Sequence, residues 1–413
     1  MKQWLKETLD DLNLVDDMAL AQGFTRLSYT AEEDESIAVF KQKAEALGLV
    51  VREDEAGNVT ARWVGSDSSL PAVASGSHLD TVINGGGYDG VAGVLTALGA
   101  IKQLKDEGFT PEHSLEVIVF RSEESARFGV STVGSKAMTG LLDDSIGDVP
   151  DFENVTIKEA VQSCGYNWSD FSQAERDQNA FKSFVELHIE QGTQIEDNSY
   201  DVGVVNGIAT PIRLKVKAQG KAGHTGTTPM DKRNDAFVAI APLVPYVQAF
   251  TKQLNEEQKT PVVATVSTVD LSPNVMNVIP DTVEIGIDIR SVDDDLKKRV
   301  ADAIRSYVAK LEETSTTQFE IEELVNNTSI LLDKDLRESL VQLGKDLDLQ
   351  PLVMDSGAGH DVMNMSTKWP SGLLFIPCRD GLSHHPDEYA TLDDLEKGVQ
   401  MLTAYYKNLS QSE

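Results

Sequence analysis

Histidine and carboxylate side chains recur where strand-like runs of this sequence end. The apolar run PAVASGSHL leads to His78 and Asp80, and the glycine-rich turn NGGGYDG then carries Asp89. A second run, LEVIVF, is followed closely by Glu123 and Glu124. Imidazole and carboxylate groups are ligands for divalent first-row metal ions, and an α/β sheet collects its ligand-binding residues at the carboxyl ends of its strands. The pattern therefore predicts a metal site.

Two further segments supply histidines in similar contexts. FVELHIEQG carries His188 within an apolar run, and GLSHHPDE near the end of the chain offers His384 and His385. Any one of these would usually be an ordinary core or surface residue. Four of the seven histidines fall beside such strand ends together with acidic neighbours, and this coincidence favours a shared site.

The residue types indicate hydrolysis at two metal ions. A carboxylate that bridges two divalent ions holds them about 3.5–4 Å apart, and a water between them becomes acidic enough to attack a carbonyl. We predict that Asp89 is the bridge. His78 and His188 would complete the ligand set of one ion, and Glu124 and His384 would complete that of the other.

Two acidic residues are predicted to assist without binding metal. Glu123 lies beside a ligand and is suited to take the proton of the water and pass it to a leaving nitrogen. Asp80 follows His78 by two residues, so its carboxylate is expected to orient the ligand imidazole.

Two domains are expected from the order of elements. The first two hundred residues alternate strand-like and helix-like runs, which is typical of an α/β domain with helices on both faces of a sheet. From about residue 209 the order becomes βαββαβ, a ferredoxin-like layout, with one helix over 235–250 and a polar connection over 251–260. We therefore predict a metal-binding catalytic domain over 1–208 and 328–413, interrupted by an inserted domain over 209–327.

Composition excludes several classes of partner. The 413-residue chain carries a formal net charge of −31, which would repel the phosphate backbone of a nucleic acid. No apolar stretch suggests a signal peptide or a membrane span. Two distant cysteines, Cys164 and Cys378, provide no disulfide framework, so we expect a cytoplasmic protein.

Several motifs together resemble one family. The segments are GSHLDTVINGGGYDGVAG, EESARFGVSTVGSKAMTG, ELHIEQG, AGHTGTTPM, SPNVMNVIPDTVEIGIDIRS, SGAGHD and RDGLSHHPDEY. In this order, and over nearly the whole chain, they resemble the M20 metallopeptidase superfamily, specifically its branch of allantoate amidohydrolases, N-carbamoyl-L-amino-acid hydrolases and β-ureidopropionases. The resemblance implies a mixed-sheet metallohydrolase domain with an inserted ferredoxin-like domain that serves as a lid and in dimerisation.

The resemblance also implies roles for individual residues. Metal ligands carry over onto His78, Asp89, Glu124, His188 and His384, with Glu123 as the general base and Asp80 as the orienting carboxylate. The cofactors implied are two divalent ions per subunit, Zn, Mn, Co or Ni. Substrate contacts match Gln191, His224, Asn277 and Arg290. Of these, Arg290 resembles a clamp for the substrate carboxylate, while His224 and Asn277 would polarise the scissile carbonyl.

The implied activity is cleavage of a C–N bond in an N-carbamoyl or ureido group of a small carboxylate-bearing substrate. Candidates are N-carbamoyl-L-amino acids, allantoate and N-carbamoyl-β-alanine, and the enzyme is expected to be a homodimer. The alternatives are a dipeptidase or aminoacylase of the same superfamily, and a non-catalytic binding protein. In the peptidases the position of His188 is generally an acid, which favours the amidohydrolase. The second histidine of SHHP, His385, is an alternative to His384 as ligand.

Overall fold

The computed structural model describes residues 1–411, which fall into two compact units. The first unit comprises Met1–Asn206, Leu332–Met354 and the chain from His360 onward. The second comprises Gly207–Leu331 and Asp355–Gly359. The predicted mixed-sheet α/β fold is confirmed. The grouping of Asp355–Gly359 with the second unit was not indicated by the sequence pattern.

Helices and strands alternate along most of the chain. Up to residue 208 they are α1 (Lys2–Leu12), α2 (Ala31–Ala46), β1 (Val50–Glu53), β2 (Val59–Trp63), β3 (Ala72–His78), α3 (Val91–Asp106), β4 (Leu115–Phe120), α4 (Val133–Thr139), α5 (Ile157–Ser163), β5 (Phe181–Ile189), α6 (Gln194–Asp197) and β6 (Val202–Ile208). From 211 to 331 they are β7 (Pro211–Gln219), β8 (Gly223–His224), α7 (Ala236–Ile240), α8 (Leu243–Glu257), β9 (Val263–Ser272), β10 (Val278–Ile279), β11 (Thr282–Arg290), α9 (Asp294–Thr314), β12 (Gln318–Asn326) and β13 (Ile330–Leu331). The last are α10 (Lys334–Asp346), β14 (Pro351–Ser356), α11 (Val362–Met365), β15 (Ser371–Ile376) and α12 (Leu392–Leu409).

The main sheet has parallel strands at its centre and antiparallel strands at its sides. Within the first unit its strands have the order β1-β2-β4-β3-β5-β15-β6, with β14 also paired to β6, and the β4–β3, β3–β5 and β5–β15 pairs are parallel. Every residue of β3, β4 and β15 is buried, as expected for parallel strands that are covered on both faces. Helices α3 and α12 pack against these strands and against each other. The four central strands therefore point their carboxyl ends in one direction.

The second unit contains a four-stranded antiparallel sheet in the order β12-β7-β11-β9. Along β11, residues alternate between buried and half-buried, and the buried set is Val283, Ile285, Ile287 and Ile289. This period of two gives the sheet one apolar face. That face packs with apolar side chains of α8 and α9 in a core of its own. The element order is ferredoxin-like.

Two details of the second unit differ from the sequence prediction. The single helix expected over 235–250 is two helices, α7 and α8, which are separated at Pro242. Proline has no backbone N–H and its ring clashes with the preceding turn, so it interrupts a helix. The polar connection expected over 251–260 is also wrong in its first part, since α8 continues to Glu257. Two residues of this last part of the helix, Thr251 and Leu254, are buried.

Within residues 1–411, every helix is too short or too polar to cross a lipid bilayer.

Candidate metal centre

The four central strands deliver the predicted metal-site residues to one edge of the main sheet. His78 is the last residue of β3, and His188 lies near the end of β5. Glu123 and Glu124 follow the end of β4, and the loop after β15 carries His384. Because these strands are parallel neighbours, side chains far apart in sequence converge.

Asp89 lies at the centre of this group. Its Oδ1 atom is 3.3 Å from Nε2 of His78 and 3.0 Å from Nε2 of His188. Its Oδ2 atom is 3.4 Å from Nε2 of His384, and that same nitrogen is 3.2 Å from Oε1 of Glu124. The two oxygens of one buried carboxylate thus face two different sets of potential ligands.

The hydrogen bonds of the two buried imidazoles decide which nitrogen of each carries its proton, and the backbone N–H of Gly90 donates to Nε2 of His188 at 3.2 Å. Nδ1 of His78 lies 2.9 Å from the carbonyl oxygen of Asp80, and Nδ1 of His188 lies 3.0 Å from that of Ile189. A carbonyl can only accept, so each Nδ1 carries the proton and each Nε2 presents a lone pair to Asp89. Lone pairs that face a carboxylate oxygen at this distance call for a cation between them, and the donor set fits a divalent metal ion.

The electrostatics of these groups support the same conclusion. Burial by itself would lower the pKa of His78, but the charge of Glu123 and the contacts with Asp80 and Asp89 outweigh it and raise that pKa well above its usual value. Burial would likewise raise the pKa of Asp89, yet its contacts with His188, His384 and His78 hold it well below the usual value. The carboxylate is ionised, and its neighbours favour positive charge.

Asp80 joins three parts of the centre through its two oxygens. It is fully buried, and it accepts hydrogen bonds from the backbone N–H groups of Glu123 at 3.1 Å and Glu124 at 2.9 Å. The hydroxyl of Ser28 donates to it at 2.8 Å, and Nδ1 of His78 lies 3.4 Å away. Asp80 therefore fixes the positions of His78 and of the Glu123–Glu124 backbone at the same time.

Glu123 is a buried carboxyl beside the cluster of predicted ligands. Its Oε2 atom is 3.7 Å from Nε2 of His78. Burial is the main reason that its pKa is raised well above the usual value, and repulsion from Glu124 and Asp361 adds to it, while His78 opposes it. A carboxyl with a raised pKa is suited to hold and release a proton. His78, Glu123 and Glu124 also form a compact group of potential ligand atoms.

Only one histidine of the SHHP segment reaches the other predicted ligands. His384 has a left-handed backbone, with φ of 57°, and its imidazole lies beside Asp89 and Glu124. His385 is exposed, and its Nδ1 accepts a hydrogen bond from the backbone N–H of Asp387 at 3.1 Å. The geometry favours His384, and the role of either residue as a ligand stays a prediction.

The four predicted substrate contacts are divided between the units. The amide of Gln191 donates to Oδ2 of Asp89 at 3.2 Å, so this residue is part of the centre. His224 and Asn277 lie in the second unit, where both are exposed and the N–H of Thr225 donates to the carbonyl of Asn277. Arg290 is also in the second unit.

Arg290 already has protein partners. Its Nε donates to Oδ1 of Asp288 at 2.8 Å, and its Nη1 donates to the carbonyl of Gly357 at 2.7 Å. The predicted clamp is therefore a guanidinium held in place by two neighbours of its own unit. It keeps further N–H donors, because a guanidinium has five.

Some residues at the centre were not found from the sequence. Glu388 accepts hydrogen bonds from the backbone N–H groups of Tyr88 and Asp89 at 2.9 and 2.8 Å, and Ser383 donates to Oδ2 of Asp89 at 3.0 Å. Both belong to the RDGLSHHPDEY motif, from which only the histidines were chosen. The ring of His360, in SGAGHD, lies edge-on to that of His188, with centroids 4.6 Å apart. Their position within those motifs was the only feature of the sequence that could have identified these three residues.

A family model described as peptidase family M20/M25/M40 matches residues 74–408. The chain belongs to this family. Ureidoglycolate hydrolase of Arabidopsis thaliana is 37% identical, over 98% of this chain and 86% of the relative. Allantoate amidohydrolase of Escherichia coli K12 is 34% identical, over 92% of both chains.

A solved structure supports the family assignment along the whole chain. The crystal structure of an amidase of the hydantoinase/carbamoylase family from Burkholderia multivorans superimposes with a TM-score of 0.91 at 27% identity, covering 100% of this chain and 99% of the other. The predicted resemblance to the M20 family and its amidohydrolase branch is confirmed. The chain is a hydrolase of the class that acts on C–N bonds other than peptide bonds.

Proposed function

We propose that this protein hydrolyses the ureido C–N bond of a small carboxylate-bearing substrate at a centre of two divalent metal ions. The observation that carries the proposal is Asp89, whose two oxygens face two separate sets of ligand atoms. The relatives named for ureidoglycolate and allantoate hydrolysis support the ureido group as the target.

The residues present fit two ions. His78, His188 and Asp89 would hold one, and Asp89, Glu124 and His384 would hold the other. Bound there, Zn, Mn, Co or Ni ions would polarise the scissile carbonyl and make water a better nucleophile near neutral pH. Imidazole and carboxylate ligands suit all four metals.

Proton transfer is assigned to Glu123. Its carboxylate would accept a proton from the attacking water and give it to the departing nitrogen as the C–N bond breaks. The new C–O bond leaves a carbamate, which loses carbon dioxide, and the nitrogen leaves as ammonia. Burial, the main cause of the raised pKa of Glu123, makes this carboxylate more basic than an exposed one, which suits it to take up the proton. Asp80 fixes the backbone that presents it.

Substrate recognition is assigned to Gln191 in the first unit and to His224, Asn277 and Arg290 in the second. Guanidinium groups bind carboxylates through two parallel hydrogen bonds, and this geometry suits Arg290 as the clamp for the substrate carboxylate. His224 and Asn277 are close in the second unit, because β8 pairs with β10 directly beside Asn277. They would stabilise the oxyanion that forms during attack.

We propose that the second unit is the inserted lid of the enzyme. Two copies of the protein would form a homodimer through this unit. Strand β9 is at one end of its four-stranded sheet, and two valines of this strand, Val263 and Val269, are each 58% exposed. An edge strand with apolar side chains is a template for pairing with another chain. We propose that the enzyme is cytoplasmic. Both cysteines are free thiols, as is usual in a reducing compartment.

The deciding experiment is an ammonia-release assay on metal-stripped protein to which Mn²⁺, Co²⁺, Ni²⁺ or Zn²⁺ is restored. The substrates are ureidoglycolate, allantoate, N-carbamoyl-L-amino acids and N-carbamoyl-β-alanine, with dipeptides and N-acetyl amino acids as the amide controls. We expect metal-dependent ammonia release from at least one ureido compound. Cleavage of dipeptides or N-acetyl amino acids without ureido turnover would overturn the proposal in favour of a peptidase or aminoacylase.

A further inference from the structure

One face of the main sheet is open at its β1–β2 end. Along β2 and β4, alternate residues such as Val59, Ala61 and Val117 join the large apolar core, and helix α2 packs against β1 and β2. Because side chains alternate across a strand, Arg62 and Glu116 point to the opposite face. A cavity of about 640 Å³ lies there.

Arginine side chains from three separate places line this cavity, which we call the arginine groove. Arg52 comes from β1, Arg62 from β2 and Arg176 from the loop before β5, with Glu116, Thr60 and Ser68 as their polar neighbours. The whole chain has 36 basic and 67 acidic residues. Three arginines around a single acid are therefore a strong local departure from the charge of the protein.

Glu116 holds two of the three arginine side chains of the groove in fixed positions. It is 1% exposed, Nη1 of Arg62 lies 3.0 Å from its Oε1, and Nη2 of Arg176 lies 3.1 Å from its Oε2. Nη2 of Arg62 also donates to the hydroxyl of Ser114 at 2.9 Å. These bonds hold two guanidinium groups rigidly beside the cavity.

The one acidic side chain that lines the groove does not balance its three guanidinium groups. Glu116 neutralises one of the three guanidinium groups, so the lining side chains keep two positive charges. Arg52 is exposed and makes no ion pair or side-chain hydrogen bond within residues 1–411. Guanidinium groups bind phosphates and carboxylates in a fork, and they favour bidentate oxyanions over single charges.

We propose that the arginine groove binds a small organic dianion, whose charged head is a phosphate monoester or a pair of carboxylates. The two remaining positive charges match a dianion. Val50 and Val64 line the same cavity and are 47% and 49% exposed, so they offer an apolar wall to the body of such a ligand. The volume is within the usual range of about 300–1,000 Å³ for small-molecule sites. None of the groove residues belongs to the metal centre.

The test is isothermal titration calorimetry on the metal-loaded protein at low, constant ionic strength. The probes are inorganic phosphate, phenyl phosphate, succinate and phthalate, with acetate as the monoanion control. Anions can also bind the metal centre, so each titration is repeated on Arg52→Gln. The matched control is Arg299→Gln, which removes an exposed arginine of the second unit. Arg52 is chosen because it lacks a protein partner, so its loss leaves the Glu116 cluster intact.

We expect at least one dianion to bind more tightly than acetate, and Arg52→Gln to weaken this binding about tenfold or more while Arg299→Gln does not. Tighter binding of phenyl phosphate would identify the charged head as a phosphate monoester, and tighter binding of phthalate would identify it as a pair of carboxylates. The proposal is overturned if no dianion binds better than acetate. It is equally overturned if Arg52→Gln and Arg299→Gln bind the dianions as the unsubstituted protein does.

Discussion

Oδ1 of Asp89 lies 3.0 Å from Nε2 of His188, and both atoms are hydrogen-bond acceptors because the other imidazole nitrogen donates to the carbonyl of Ile189. Such a pair is stable only with a cation between the two atoms, either a proton or a metal ion. The same relationship holds between Asp89 and His78 at 3.3 Å. The pKa values of both histidines are raised accordingly, by contacts that outweigh burial.

Substitution of Glu123 and Asp89 should separate chemistry from metal binding. Glu123→Gln removes the proton carrier but no predicted ligand, so we expect both ions to remain and turnover to fall about 10²- to 10⁴-fold. Asp89→Ala removes the carboxylate that both ligand sets share, and metal content itself should fall. Metal analysis after dialysis and the ammonia assay check both. An active Glu123→Gln enzyme would refute the base assignment.

The two neighbouring histidines of SHHP provide a matched pair. We expect His384→Ala to weaken the binding of one metal ion strongly and to abolish most activity, because its Nε2 lies within 3.4 Å of both Asp89 and Glu124. His385→Ala should leave metal content and activity close to those of the unsubstituted enzyme, since the imidazole of His385 lies beside Asp387 and not beside the predicted ligands. If the two results are exchanged, the ligand is His385.

The sequence indicated the predicted ligands that the structure brings together better than it indicated the residues that hold them in position. His78, Asp89 and His188 could be chosen because their residue types and strand-end positions limit what they can do. Glu388 could not, because its contribution is a hydrogen bond to a backbone separated from it by about three hundred residues. The break at Pro242 was open to prediction, since proline is tolerated in the first turn of a helix, where Pro245 lies in α8, but interrupts a helix in its interior.

A buried ion pair beneath the centre should be needed for stability. Arg121 is fully buried, precedes the Glu123–Glu124 segment, and lies 2.9 Å from Oε2 of Glu33. Arg121→Met leaves that buried carboxylate without its cation, and we expect the free energy of unfolding to fall by about 3–5 kcal/mol. Urea denaturation measures this loss.

A second substitution tests the cause of that loss. In Arg121→Met/Glu33→Gln the buried uncompensated charge is gone, and Asp34, which Arg121 also binds at 2.6 Å, is 42% exposed and stays in contact with water, so part of the stability should return. A double variant no more stable than Arg121→Met would show that the guanidinium acts through other contacts, such as its stacking on Tyr29 at 4.9 Å.

The proposed dimer should depend on the edge strand β9. Val269→Lys places a charge on a 58% exposed apolar position, and we expect the protein to become monomeric, because a buried unpaired charge would oppose pairing of the two edges. Sedimentation velocity measures the change. Val353→Lys, at a 53% exposed valine in β14, is the control that should not alter the oligomeric state. A dimer that survives Val269→Lys would place the interface elsewhere.

Arg290 and Arg213 allow the carboxylate clamp to be tested against a close control. Both donate to Asp288, through Nε at 2.8 Å in each case, but only Arg290 also donates to the carbonyl of Gly357. Lysine keeps the charge and loses the fork, so Arg290→Lys should raise KM about 10- to 100-fold with a smaller change in kcat. Arg213→Lys should leave KM nearly unchanged. Steady-state kinetics on a substrate with its carboxylate and on the matching primary amide then distinguish the roles. If Arg290 binds the carboxylate, the substitution should penalise the acid and spare the amide, whereas an equal loss on both substrates would mean that Arg290 only supports the fold of its unit.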